Sequence, residues 1–342
     1  MNHKSLWSKI LVELKNSQPK HAYSTWFVPI KSIALNNDTL LLELPNQFFY
    51  EWIQSHYKQA IERASNVTSK KELEIKFTVS PESQTLKPSN AGLLGQEGTP
   101  EKKADQKPKT LNEQYTLSSF IQGAHNEFAK AAAKNVTENP GDRSFNPLVI
   151  YGGVGMGKTH LLHAIGNDIL EKAPMTLVVC ASSEKFTLDF ISSIQKNKTV
   201  EFSKSYRNAD VLLIDDIQFF QGKEQTQEQF FHTFNELFQA NKQIVMTADR
   251  YPGEMMGLQD RLLSRFKSGL SVDIQPPDFE TRVAIVMEKA EQNGLKLSYD
   301  IIELIGTHIK KNVRDLESTI IRLLAHSSLS NKEIDYELAK AV

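Results

Sequence analysis

The chain has 342 residues and only one cysteine, Cys180. A single thiol excludes an internal disulfide and a zinc cluster built on cysteines, and it fits a reducing compartment. It sits in the apolar run "TLVVCA", where it reads as an inert strand residue. No run reaches the roughly 18 apolar residues of a membrane span, and the N-terminus lacks a signal-peptide core, so the cytoplasm is the expected location. The formal net charge is −1, so the chain as a whole carries no polyanion signature and any nucleic-acid site has to be a local patch. Residues 80 to 112 contain no aromatic residue and four prolines. Such a segment cannot bury enough apolar surface to offset its chain entropy, which predicts a flexible linker.

Over the whole chain, 40% hydrophobic and 24% charged residues describe a soluble globular protein, and the length exceeds what one domain usually needs. Residues 1–79 read as a small α+β module. "SLWSKILVELKN" places Leu6, Trp7, Ile10, Leu11 and Leu14 at helical spacing, and "QFFYEWIQSHYKQAIERAS" is a second amphipathic helix. "DTLLLELPN" and "KKELEIKFTVS" read as strands. From residue 113 to 277, "PLVIYG", "TLVVCA", "DVLLIDD", "KQIVMTAD" and "LSVDIQ" alternate with helical patterns, which predicts a parallel sheet covered on both faces. Residues 278–342 turn wholly helical and read as a lid-like subdomain; no internal repeat is visible.

The stretch "IYGGVGMGKTHLLHAIGN" leaves an apolar strand through glycines and enters a helix, with G-x-x-x-x-G-K-T at Gly152, Gly157, Lys158 and Thr159. Glycines let backbone N–H groups approach phosphate oxygens, and the helix N-terminus adds its dipole and free donors. Lys158 would reach the β- and γ-phosphates and Thr159 a Mg²⁺ ion. "VLLIDDIQFF" ends a buried strand on two acids. Asp215 is placed to hold Mg²⁺ and Asp216 to orient or deprotonate the attacking water, although paired acids there also cap helices. "KQIVMTADR" offers Thr247 and Asp249 as γ-phosphate sensors, against the simpler reading of a strand-end turn. "DRLLSRF" sets Arg261 and Arg265 four residues apart, either a solvated face or an arginine finger presented to a neighbouring subunit. His160 and His163 lack a third ligand at sensible spacing, which argues against zinc. Lys196, Lys198, Lys204 and Arg207 form either a solvated helical face or a nucleic-acid patch.

Taken together, "FNPLVIYGGVGMGKTHLLHAIGN", "LLIDDIQFFQGKEQTQEQFFHTFN", "DRLLSRF", "IQPPDFETRVAI" and "NVRDLES" resemble the DnaA family of bacterial chromosomal replication initiators. The N-terminal "LWSKIL…STWFVPI…LPNQFFYEWI" resembles the same family's assembly domain. The resemblance implies an α/β P-loop AAA+ fold with a helical lid, and a slow ATPase that uses ATP and Mg²⁺ as a switch. Gly153, Gly155, Met156, Gly157, Lys158, Thr159 and His160 become nucleotide-binding, with Asp215 and Asp216 as the Walker B acids. Asp249 becomes sensor 1, Arg265 the arginine finger and Arg314 sensor 2. "FIQGAHNEF" matches the adenine-contacting segment around Ile121 and Asn126, with His125 where members usually carry Ser.

The resemblance also implies partners. An ATP-dependent filament of the chain itself would hold single-stranded origin DNA through Ile191, Lys223 and Thr226, with Gln225 in place of an arginine found in some members. Phe48 matches an aromatic that contacts the replicative helicase, and Trp7 lies on the self-association helix; both equally suit the core of a small domain. Acidic phospholipids are a further family partner. Duplex origin DNA is read in the family by a C-terminal helix-turn-helix domain, which does not follow "EIDYELAKAV" here. The alternatives are a regulatory or helicase-loading AAA+ paralogue and, less well supported by the arginines and lid, a small-molecule kinase.

Overall fold

The computed structural model describes residues 2–19, 22–36, 38–69, 73–79, 111–330 and 333–342; the segment read as a linker lies outside them except for Leu111 and Asn112. The chain divides into two compact units, residues 1–104 with 295–304 and 334–341, and residues 105–294 with 305–333 and 342.

In the first unit, helix α1 (His3–Ser17) is capped by the Asn2 side chain, which accepts from the Lys4 N–H. Strand β1 (Lys31–Asn36) pairs antiparallel with β2 (Thr39–Leu44), and β2 pairs parallel with β3 (Glu74–Val79). A parallel neighbour needs a crossover, and α2 (Gln47–Trp52), a π-helical turn at Ile53–Tyr57 and α3 (Lys58–Ser69) supply it. The "KSIALN" strand has no counterpart among the sequence expectations. Trp26, Phe27 and Trp52 fill the core, with the two indoles stacked at 4.8 Å. Trp7 belongs to that core: it is 5% exposed, and its Nε1–H donates to the Ile30 carbonyl. Of the two readings the sequence left open for Trp7, its side chain packs as the core reading has it. Phe48 belongs to α2, and its side chain lies outside the described residues.

The second unit holds the five apolar runs as β4 (Leu148–Gly152), β5 (Val178–Ser182), β6 (Val211–Asp215), β7 (Gln243–Ala248) and β8 (Leu270–Ile274). All neighbours are parallel, in the order β5-β6-β7-β4-β8. Strand alternation sends Leu148, Ile150 and Leu213 to one face, under α4 (Glu127–Glu138) and α5 (Lys158–Lys172). Val149, Leu212 and Ile214 face the other side, packed with Phe186, Phe202, Phe230, Phe234 and Phe266. Those aromatics come from α6 (Ser183–Gln195), α7 (Thr199–Arg207), α8 (Glu224–Gln239) and α9 (Asp260–Phe266). Both faces are thus buried, which is why the strands are continuously apolar. Helices α10 (Phe279–Gln292), α11 (Tyr299–His308), α12 (Val313–Ser330) and α13 (Tyr336–Ala341) follow, and no strand follows β8 among the described residues.

Leu111 packs on the sheet face that carries Leu148, Ile150 and Leu213, and its neighbour Asn112 is tied to α5. The Asn112 N–H donates to His163 Nδ1 at 2.9 Å, and Asn167 Nδ2 donates to the carbonyls of Asn112 and Tyr115. Leu111 and Asn112, within the stretch read as linker, are thus packed and hydrogen-bonded.

Candidate functional site

Strand order decides which residues meet. β7 lies between β6 and β4, so the carboxyl ends of these three strands bring the P-loop, the two acids and the "TAD" segment to one edge, where ligands of open α/β sheets bind. After β4 the loop turns through Gly155 and Gly157, whose φ values of 76° and 93° suit glycine. A Cβ on Gly155 would also stand 3.0 Å from the Arg314 Cβ and 3.1 Å from the Asn312 Cβ. Gly157 directly precedes α5, so the helix N-terminus with its free donors opens on the loop.

Lys158 is 6% exposed and folded back into this loop. Its Nζ donates at 2.9 Å to the carbonyls of Gly152 and Gly153 and to Asp249 Oδ1. Thr159 Oγ1 donates to Asp215 Oδ2 at 2.9 Å, and Thr247 Oγ1 donates to Asp215 Oδ1. The same Thr247 oxygen accepts the Asp216 N–H at 2.8 Å. Of the two sensor candidates, Thr247 is fully buried and organises the acids, whereas Asp249 faces the cavity.

Asp216 adopts left-handed backbone angles (φ 57°, ψ 57°), uncommon for a residue with a side chain. Its carbonyl accepts from Ser183 Oγ at 2.6 Å and its Oδ1 from Gln218 Nε2 at 2.9 Å. Burial raises its carboxyl above the usual range, and the charges of Asp215 and Asp249 add to this, while the Gln218 hydrogen bond and Lys158 oppose it. A carboxylate of raised basicity beside a cavity suits proton handling.

The cavity has a volume of about 300 Å³ and runs from residues 154–160 to the lid residues Lys289, Val313, Arg314 and Glu317. The Gly155 carbonyl accepts from the Val313 N–H at 2.9 Å and the Arg314 N–H at 3.3 Å, so the start of α12 rests on the P-loop. Lys289 Nζ and Glu317 Oε1 pair at 2.9 Å, joining α10 to α12. Arg314 itself is exposed. His160 stacks on Tyr115 at 4.6 Å, and both line the cavity. Burial lowers the His160 imidazole to about 4 and also lowers His163, so both are neutral near pH 7. Cys180 is buried, its thiol pushed up to about 12 by burial, and behaves as an apolar side chain.

The residues assigned from sequence are not all gathered here. Ile121 and Asn126 do not line the cavity. Asn126 is buried, with its Oδ1 accepting from the Gly123 N–H and its Nδ2 donating to the Ile121 carbonyl, so it shapes the loop between them. These two bonds engage one N–H and one lone pair of its amide. Arg265 also lies away from the cavity of its own chain and makes no side-chain hydrogen bond or ion pair among the described residues. Its neighbour Arg261 is occupied by Gln259 and Phe231. Ile191 is 45% exposed and Lys223 half-buried at the start of α8. Thr226, in the first turn of α8, is 4% exposed, which leaves its hydroxyl almost no surface for a strand of DNA. Gln218, Tyr115, Lys289 and Glu317 line the cavity without having been singled out for it.

A glycine-turned loop holding a lysine, a hydroxyl-carboxylate pair, a second acid and a polar strand end beneath a helical lid define a P-loop ATPase. Comparison with known proteins narrows the class. The model of the bacterial DnaA ATPase domain matches residues 111–273, and that of the DnaA N-terminal domain matches residues 4–66. The chromosomal replication initiator protein DnaA of Chlorobaculum tepidum is 44% identical, covering 98% of this chain and 73% of the relative. Domain III of the Thermotoga maritima replication initiation protein DnaA is 43% identical with a TM-score of 0.65, over 67% of this chain and 95% of that one. A DnaA bound to AMPPCP and single-stranded DNA is 40% identical with a TM-score of 0.58, over 65% and 69% of the two chains. The chain belongs to the DnaA family.

Proposed function

We propose that this chain is an ATP-dependent initiator of chromosomal replication that binds ATP in the cavity described, hydrolyses it slowly as a switch, and holds single-stranded origin DNA when ATP is bound. The observation that carries the proposal is the convergence of Lys158, Thr159, Asp215, Asp216 and Asp249 on one sheet edge. It occurs in a chain that is 44% identical to an initiator over 98% of its length, which also favours the initiator over a regulatory or helicase-loading paralogue.

The loop carbonyls and Asp249 hold Lys158 as a fixed cation that phosphate oxygens can take over, and the amides at the start of α5 surround the same position. Thr159 Oγ1 and the Asp215 carboxylate are hard oxygen donors already within 2.9 Å of one another, a set that suits Mg²⁺. When bound there, Mg²⁺ neutralises charge on the transferred phosphoryl group. Asp216 orients and deprotonates water, and Arg314 reads the phosphates from the lid. Arg265, with no side-chain hydrogen bond or ion pair among the described residues, serves the site of the next subunit in an ATP-dependent assembly. Helicase binding through the N-terminal module, acidic phospholipids and a cytoplasmic location rest on the family alone; no helix among the described residues is long and apolar enough to cross a membrane.

The single-strand surface we assign to Ile191 and Lys223, with Thr226 removed. The test is fluorescence anisotropy of a labelled single strand. Binding is expected with ATP, is expected to be lost with ADP, and to weaken as salt rises through counterion release. Lys223→Ala is expected to weaken it several-fold. Equal binding with ATP and ADP would overturn the switch, and unchanged binding by Lys223→Ala would remove the surface.

A further inference from the structure

The side chain that joins the two halves of the catalytic edge has no assigned role. Gln218 follows the two acids at the end of β6, and its Nε2 donates 2.9 Å bonds to both Asp216 Oδ1 and Asp249 Oδ2. Asp249 turns its other oxygen, Oδ1, to Lys158 Nζ. A continuous path therefore runs from the lysine that meets phosphate, through Asp249 and Gln218, to the acid that meets water.

The chemistry of the pairing is specific. Asp216 and Asp249 repel each other as carboxylates, and a primary amide offers two N–H bonds from one atom without adding charge. A lysine or arginine there would bring a cation and compete with Lys158 for Asp249. The amide orientation is fixed by this demand, since turning it over would set Oε1 against two carboxylates. Gln218 Oε1 is itself buried and has no hydrogen-bond partner among the described residues. Thr247 and Ser183 hold only the backbone N–H and carbonyl of Asp216, so the Gln218 bond is what sets the direction of its carboxylate.

We propose that Gln218 is a positioning residue for hydrolysis: its amide bridges Asp249 and Asp216 and holds the Asp216 carboxylate in the direction that water attack requires. The proposal rests on the reading of Asp216 as the acid that handles water. Gln218 does not touch the phosphates in this account, so its loss spares ATP binding and slows the chemical step.

The experiment pairs equilibrium dialysis of ATP with single-turnover hydrolysis by the full chain. Gln218→Met keeps the length and removes both donors; Gln218→Leu also removes them without adding charge, and it serves if the methionine variant folds poorly. Both are expected to bind ATP within about threefold of the parent and to hydrolyse it roughly tenfold more slowly. In an Asp216→Asn background, Gln218→Met is expected to add nothing. Wild-type hydrolysis by both variants, or ATP affinity falling in step with rate, would overturn the proposal. So would the same tenfold loss recurring in the Asp216→Asn background, because a general packing defect would persist there. If Asp216→Asn alone hydrolyses ATP at the parent rate, it is the functional reading of the acid that fails, whatever Gln218 does.

Discussion

On the sheet side of the cavity, Lys158, Thr159, Asp215, Asp216, Thr247 and Asp249 are held by one another at hydrogen-bond distance. On the lid side, Arg314 is exposed, and α12 meets the P-loop through one carbonyl, that of Gly155. The first arrangement is preorganised: its polar groups need little rearrangement when charge develops. The second is attached by few bonds and can shift at low cost. The contrast separates chemistry from signalling. On the function proposed above, sheet residues set whether ATP is bound and cleaved, while lid residues report which nucleotide is there.

Substitutions on the two sides should therefore fail differently. Lys158→Ala removes the buried cation facing the phosphates and leaves Asp249 without its partner. ATP affinity is expected to fall by about 100-fold or more in equilibrium dialysis, the largest effect of all. Asp216→Asn is expected to keep ATP binding and slow single-turnover hydrolysis by roughly 100-fold, because the water loses its base. Arg314→Ala should leave the hydrolytic groups intact yet reduce the preference for ATP over ADP by about tenfold, the scale of one charge-assisted contact. If Arg314→Ala instead abolished binding of both nucleotides, the lid would be part of the primary site and the comparison would break.

Much of the sheet side could be read from the sequence because each part lies within a few residues of a strand end. The apolar runs gave β4 to β8, and the glycine spacing gave the P-loop. What remained hidden depends on which strands are neighbours. Gln218 looks unremarkable in "DDIQFF" until β7 is known to bring Asp249 beside it, and Lys289 and Glu317 meet only once α10 packs on α12. The burial of Thr226 is another such case, because a motif match says nothing about which way the first turn of a helix faces. The bonds by which Asn126 shapes its own loop are likewise invisible in a motif match. Strand β1 escaped notice because it is half-exposed at an edge, with Ile33 and Leu35 among polar and small residues. A strand that buries so little leaves a weak periodic signal.

The smallest expected effect is on acid stability. The folded-state value of His160 is depressed to about 4 from an ordinary value of 6.5, and His163 is lowered as well, both by burial. The unfolded chain therefore takes up protons first. The stability these residues contribute is fully present above pH 6.5 and is lost as pH falls from there toward about 4. His163 would also lose its role as acceptor for the Asn112 N–H on protonation at Nδ1. Thermal melts across that window should show His160→Gln losing less stability than the parent; an identical pH slope would remove His160 from the account.

Hydrogen exchange of the backbone amides, compared between the ATP-bound and ADP-bound chain, tests the division between sheet and lid most directly. The Val313 and Arg314 amides, which bond Gly155, should differ in protection between the two nucleotides, while the Asp216 amide, bonded to Thr247, should be equally protected in both. Equal protection at residues 313 and 314 together with a change at Asp216 would contradict the account, because the nucleotide would then be read by the sheet and not by the lid.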